Sequence, residues 1–243
     1  MLPTASPSAA APDLPPVGPA GVSSVLEHGS RASGQVALTF DSNLTAFMIG
    51  ELDHRKVASF DNRQVVDELI ALHVPATFFL SGLWMLRYPQ ETRRLASVPW
   101  FELGSHSFAH IGFAPRCFHL GLLPLSRMAA DVERSEQVLR GFDPHASRLF
   151  RFPGGCYDAS ALRAISPSGV QVVQYDVASG DAFATSAAAV VAHTLAVARA
   201  GSIVVLHITG GNTAPFTAQA LPGIVRGLRA RGLQLVTVGE LRR

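Results

Sequence analysis

The chain has 243 residues, 48% of them hydrophobic and 16% charged, with a formal net charge of +2. That is enough chain for one large α/β domain with a substantial core. The charge is too low for a typical nucleic-acid binder, and no apolar run is long enough to cross a bilayer. Arg226, Arg229, Arg231, Arg242 and Arg243 are spaced like a solvated helix face and tail rather than a polyanion patch.

Residues 1–21, MLPTASPSAAAPDLPPVGPAG, are rich in Pro and Ala, with neither a basic start nor an apolar centre. They read as a disordered linker, extended here to residues 1–33, and not as a signal peptide. From residue 34 to 243 strand-like and helix-like segments alternate. Residues 36–40 (VALTF) read as a strand. A polar stretch follows, with Val65, Val66, Leu69, Ile70 and Leu72 at helical spacing. Residues 76–80 (ATFFL) read as a strand, 88–96 as a helix, 101–103 as a strand and 127–139 as an amphipathic helix. Next come a strand at 148–152, a short helix at 158–165 with Asp158 placed to cap it, and a strand at 170–175. A helix at 186–200, a buried strand at 203–206, a helix at 217–231 closed by Gly232 and a last strand at 233–238 complete the chain. Alternation throughout implies a parallel sheet with helices outside it, and the pattern leaves an open doubly wound sheet and a distorted barrel equally possible.

In such folds the chemistry sits at the carboxyl ends of the strands. Those ends carry Asp41-Ser42-Asn43, then His106 and His110 in GSHSFAH, then Arg151-Phe152-Pro153-Gly154-Gly155, then Asp176 and Asp181, and finally His207. The histidine pair alone says little. Its four-residue spacing would put both rings on one face of a helix, but Ser107 stands where the zinc-protease signature has glutamate. Five strands that each deliver a polar group to one rim say more.

The segments TFDSN, HSFAH, RFPGG, ASGDAF and IVVLH, in this order and spacing, resemble the five motifs of the polysaccharide deacetylases (carbohydrate esterase family four) over residues 36–241. The resemblance implies a distorted (β/α) barrel of about seven parallel strands and a metal-dependent hydrolase of linear amide bonds. Its substrate would be the N-acetyl group of an acetylamino sugar in a glycan such as peptidoglycan or chitin oligomers. It assigns Asp41 as general base, His106 and His110 as metal ligands, and Arg151 as holder of the Asp41 carboxylate. Gly154 would be the backbone oxyanion donor, and His207 the general acid oriented by Asp181. The implied cofactor is a divalent metal, zinc first, with cobalt, nickel or manganese as alternatives.

Three departures stand out. Ser42 occupies the position of a second aspartate ligand, leaving the Asn43 amide oxygen, or Asp41 itself, as third donor. Gly154 stands where an aromatic residue is common. Ala182 replaces a tryptophan, with Phe183 as a substitute surface. Cys117 and Cys156 lie on loops expected to meet at the same rim, so a Cys117–Cys156 disulfide is expected, and with it an extracytoplasmic or cell-envelope location, a cytoplasmic one being the alternative. Trp84, Tyr88 and Trp100 read as core and rim. His28, His54, His73, His119, His145 and His193 read as surface or packing residues. The expected partner is a carbohydrate substrate, without nucleic acid or a membrane span, bound by a monomer. Two other functions fit the sequence: a catalytically silent glycan-binding barrel, and a hydrolase of a small non-glycan amide.

Overall fold

The alternation resolves into one parallel sheet, seen in a computed structural model that describes residues 24–243. In chain order its elements are β1 (Val25–Leu26), β2 (Gln35–Ser42), α1 (Ala46–Asp53), α2 (Arg63–Ala71), β3 (Ala76–Leu80), α3 (Gly82–Arg87), α4 (Pro89–Ser97), β4 (Phe101–Ser105), α5 (Leu125–Phe142) and β5 (Leu149–Phe150). There follow α6 (Ala159–Ile165), β6 (Gln171–Val173), β7 (Val177–Ala178), α7 (Ala187–Val197), β8 (Ile203–His207), α8 (Thr217–Ala230), β9 (Gln234–Val236) and α9 (Val238–Leu241). The strand path runs β1-β6-β5-β4-β3-β2-β8-β7, with β9 beside the start of β2. All the pairings are parallel. The sheet curls into an incomplete barrel wrapped by helices, the distorted (β/α) barrel expected from the motif resemblance.

Side-chain alternation in β2 sorts its residues between the two sides of the curled sheet. Val36, Leu38 and Phe40 join a core shared with the apolar faces of α2 and α8, while Ala37 belongs to an inner cluster with Phe79, Leu149, Val173 and Ile203. With a period of two, Thr39 and Asp41 must share the inner face with Ala37. The strand therefore carries an apolar residue into the barrel at its start and a carboxylate at its end.

Local chemistry sets several boundaries. Asp158 caps α6 by accepting from Ser160 and Ala161 N–H, and Ser186 caps α7 through Ala189 N–H. Pro89 opens α4 at a position where it needs no N–H donor, so the turn before it, α3, is a separate helix. Several strands are shorter than their apolar runs, and α9 follows β9 without a break in hydrophobicity, started by a Thr237–Glu240 capping box.

The expected boundary at residue 33 is corrected. Residues 1–23 of that linker lie outside the described residues, but residues 24–33 belong to the folded unit: β1 pairs with β6, and Gly29 N–H donates to Gly201 O. Two residues of strand carry too weak a pattern to be read from sequence.

Glu102 ties the opposite end of the barrel together. Its Oε2 accepts from Thr77 Oγ1 and Gly239 N–H, each at 2.9 Å, and its Oε1 accepts from Ser147 Oγ at 2.8 Å. It thus joins β3, β4, the approach to β5 and α9. Glu102→Ala should lower the unfolding free energy by about 2–3 kcal/mol in urea titration, since bonds to a charged acceptor are lost together; an unchanged midpoint would contradict this role.

Candidate active site

Asp41, next to last in β2, faces into the barrel and is 5% exposed. A carboxylate so buried needs a compensating charge. Arg151, just past β5 and wholly buried, supplies it: Nη1 donates to Asp41 Oδ1 at 2.8 Å and to Thr39 Oγ1 at 2.7 Å. Nη2 donates to Gln174 O at 3.2 Å and Nε to Val173 O at 3.4 Å. The guanidinium lies over the Phe79 ring, 4.1 Å from its centroid. Asp41 Oδ2 takes no part in this grip. It lies 3.7 Å from His106 Nε2.

His106 follows β4 directly. Its Nδ1 lies 2.8 Å from Arg151 O, so this nitrogen carries the proton and Nε2 has a bare lone pair. His110 reaches the same place by a route the sequence does not show. Residues 106–110 are not helical; Ser107 and His110 both have positive φ, 66° and 52°. Ser107 Oγ accepts from His110 N–H, closing a tight turn that brings the ring centroids to 5.0 Å. The expected shared helix face is thus replaced by a turn. Both rings titrate below the ordinary histidine range, principally through burial, and for His110 through the neighbouring imidazole as well. They are neutral imidazoles near pH 7.

His207 ends β8, in register beside Asp41. Its Nδ1 lies 2.8 Å from Asp181 Oδ1, and Asp181 Oδ2 accepts from both His207 N–H, at 2.8 Å, and Thr217 Oγ1, at 2.7 Å. Burial alone would depress the His207 pKa, but the Asp181 carboxylate raises it above the ordinary value. For Asp181 burial acts upward and is outweighed by His207 and the hydrogen bonds, so its pKa is lowered. Sequence reasoning misses Thr39 and Thr217. Thr39 is available from the period of β2, two residues before Asp41, whereas Thr217 lies 36 residues from Asp181 with no local signal.

Asp41, Asn43, His106, His110, Gly154, Asp181 and His207 all line one cleft of about 550 Å³, with Arg151 beneath it. Gly154 has φ 64°, and a Cβ there would meet Cys117 Sγ at 2.7 Å, so both conformation and space demand glycine. The N–H groups of Gly155 and Cys156 donate to the Phe152 and Pro153 carbonyls, but among the described residues no hydrogen bond takes the Gly154 N–H. Cys117 and Cys156 are disulfide-bonded. Asp176 pairs with Arg31 and accepts from Ile203 N–H, a structural role. Trp84 and Tyr88 both bond to the Phe60 backbone, as packing residues do. His119, read as a surface or packing residue, instead lines the cleft rim, as do Tyr175 and Phe118.

Do the donors suit a divalent metal? His110 Nδ1 and Nε2 and Asn43 Oδ1 are buried without hydrogen-bond partners, an expensive arrangement if nothing ever binds them. With His106 Nε2 they make a set of two imidazoles and an amide oxygen. Among the described residues no three His, Cys, Asp or Glu side chains form a metal group. Ser42 does not make up the deficit: it faces away from the cleft, where its hydroxyl accepts from Ser81 N–H. A divalent ion fits this set, with a neutral third donor.

A family model described as polysaccharide deacetylase matches residues 28–173. A peptidoglycan-N-acetylglucosamine deacetylase of Bacillus cereus is 24% identical over 213 residues, covering 88% of this chain and 70% of the relative. A chitooligosaccharide deacetylase of a Bradyrhizobium species is 25% identical over 193 residues, 75% of this chain and 84% of its own length. Among solved structures, a peptidoglycan N-acetylglucosamine deacetylase bound to a naphthyl N-hydroxybenzamide superposes with TM-score 0.76 at 23% identity, covering 90% of this chain and 93% of the other.

The His207–Asp181 pairing makes a direct prediction. The raised His207 pKa stabilises the fold below about pH 6.5 and this contribution fades as pH climbs through the folded value; the Asp181 contribution is present above about pH 3.8 and fades as pH falls through its own lowered value. Both are therefore full between those limits. In metal-free protein, NMR titration should place the His207 imidazole above the free-histidine value, and Asp181→Asn should bring it below. An unchanged His207 titration in the variant would contradict the pairing.

Proposed function

Because the chain belongs to the polysaccharide deacetylase family, we propose that it hydrolyses N-acetyl groups of acetylamino sugars in a glycan of the peptidoglycan or chitin type. The observation that carries this reading is a carboxylate and an imidazole, Asp41 and His207, brought side by side at one cleft. Asp41 and His207 end adjacent strands in register, and each is held by a partner of its own, Arg151 and Asp181. A pure binding protein has no use for such a pair.

The steps follow from the free atoms. Arg151 occupies Asp41 Oδ1, so Oδ2 is the atom that takes a proton from water as the water oxygen bonds to the acetyl carbon. The Gly154 N–H donates to the carbonyl oxygen as it becomes an oxyanion. Asp181 holds Nδ1 of His207, so the proton that reaches the leaving nitrogen comes from Nε2. The C–N bond breaks to give the free amine and acetic acid, which loses its remaining proton to solvent as acetate, and the Asp41 proton passes to His207 to restore both groups. His106 Nε2, a ring nitrogen of His110 and Asn43 Oδ1 would hold a divalent ion, as family members generally do. Bound there, such an ion supplies carbonyl polarisation and a more acidic water. Two imidazoles favour zinc, and a neutral amide as third donor also admits cobalt, nickel or manganese. The disulfide supports an extracytoplasmic place of action.

Acetate release from N-acetylglucosamine oligomers should fall about 10²–10⁴-fold in His207→Ala and vanish in the double variant His106→Ala/His110→Ala. Full activity in the double variant would remove the metal from the account. Turnover-free, tight glycan binding across several metals would instead favour a silent barrel. Asn43→Asp should tighten zinc binding about tenfold or more, as a charged donor replaces a neutral one, measured by competition with a chromophoric chelator; an unaltered affinity would exclude Asn43 as a ligand.

A further inference from the structure

The oxyanion donor sits on two consecutive glycines, Gly154 and Gly155, both with left-handed backbone, φ 64° and 68°. Glycine loses more conformational freedom on ordering than any other residue, so such a pair keeps one conformation only where its surroundings impose it. Upstream the sheet does this. Arg151 N–H donates to Ser105 O at 2.9 Å, Phe152 is wholly buried, and the Pro153 ring fixes its own φ. Within the turn, Gly155 N–H donates to Phe152 O at 2.9 Å, but the bond from Cys156 N–H to Pro153 O is longer, 3.3 Å. Neither glycine has a side chain to pack, so the rest of the hold comes from groups outside the turn.

Two such groups are present. The first is Gln174, the residue after β6, which is buried. Its side-chain Nε2 donates to Gly155 O at 3.2 Å. Its own backbone is pinned on both sides: the N–H donates to Leu26 O at 2.8 Å, and the carbonyl accepts from Arg151 Nη2 at 3.2 Å. Gln174 thus ties the turn to the same guanidinium that grips Asp41. The second group is the Cys117–Cys156 disulfide. Cys156 follows the glycines directly, and Cys117 Sγ lies 2.7 Å from the site of a Cβ on Gly154. Tyr175 backs the other glycine, its Oη 2.6 Å from the site of a Cβ on Gly155. The turn is therefore bonded at its last carbonyl, cross-linked at its exit and flanked at both glycines.

These holds bear on the Gly154 N–H. Among the described residues no hydrogen bond takes that group, so its direction is set by backbone conformation alone. An oxyanion donor acts through alignment established before the charge develops, and a misplacement of about 1 Å can cost about 10²-fold in rate. Groups that fix the two glycines therefore act on the rate without touching the substrate.

We propose that Gln174 and the Cys117–Cys156 disulfide are positioning groups for the oxyanion donor, holding the Gly154–Gly155 turn in the one conformation that aims the Gly154 N–H, so that turnover requires the disulfide to be closed. The purpose of the turn rests on the hydrolase reading above, but its order is measured without turnover. In metal-free protein, the heteronuclear NOE of the Gly154 and Gly155 amides should drop in Gln174→Met, which keeps the volume and removes the donor, and on reduction with a phosphine. The amides of β2 and β4 should keep theirs, and reoxidation should restore the turn. In the zinc-supplemented protein both changes should lower kcat for acetate release from N-acetylglucosamine oligomers about ten- to a hundredfold, with KM altered less than about twofold. Cys117→Ser/Cys156→Ser should behave as the reduced protein does and no longer respond to the reductant. Should reduction unfold the chain, Gln174→Met decides, since its disulfide is intact. Unchanged NOE values in Gln174→Met overturn the proposal, as does a loosened turn with kcat preserved. A raised KM at constant kcat also overturns it, because the turn would then serve substrate binding. Absence of acetate release by the unaltered protein, with the NOE pattern as expected, would overturn the hydrolase reading and leave the two anchors of the turn standing.

Discussion

The buried pairing of Arg151 with Asp41 is the constraint on which the rest of the site depends. A guanidinium with no solvent exposure is tolerable only when its donors are used and an opposite charge is close. Here the partners come from β2, through Thr39 and Asp41, and from the end of β6, through the carbonyls of Val173 and Gln174. The Arg151 backbone carbonyl meanwhile fixes the ring of His106 at the end of β4. One residue therefore sets the relative positions of three strand ends. It also leaves Asp41 Oδ2 and His106 Nε2 as the unspent atoms facing the cleft.

The second centre has hydrogen bonds of its own, although Asp41 and Arg151 also act on His207 through their charges. Asp181 binds His207 through both ring and backbone, with Thr217 completing its acceptor set. The result is a carboxylate biased toward ionisation beside an imidazole biased toward protonation. Two charge pairs of opposite order, Arg–Asp with the carboxylate outermost and Asp–His with the imidazole outermost, thus meet across neighbouring strands. Between them lie the imidazoles held neutral by burial. Ser42 lies outside this arrangement, because strand alternation turns its side chain out of the cleft, where its hydroxyl accepts from Ser81 N–H.

Much of this architecture is legible in the order of residues alone. The apolar runs locate the main strands, and the rule that chemistry gathers at their carboxyl ends puts Asp41, His106, His110, Gly154, Asp181 and His207 on one rim, where they stand together. Strand order is not legible, since it depends on pairings between distant segments; β1 and β7, two residues each, carry no periodicity to read. The geometry of GSHSFAH is hidden for another reason. Spacing of four suggests a helix, but left-handed backbone at Ser107 and His110 gives the same convergence, and neither residue type announces it. Thr217 is hidden because its role exists only through Asp181, 36 residues away in sequence.

The most direct test of this account is anomalous diffraction at the zinc edge from zinc-loaded crystals. The account predicts one strong peak in the cleft, within bonding distance of His106 Nε2, a ring nitrogen of His110 and Asn43 Oδ1, with Asp41 Oδ1 still held by Arg151. A cleft without zinc, or zinc seated away from the two imidazoles, would contradict it.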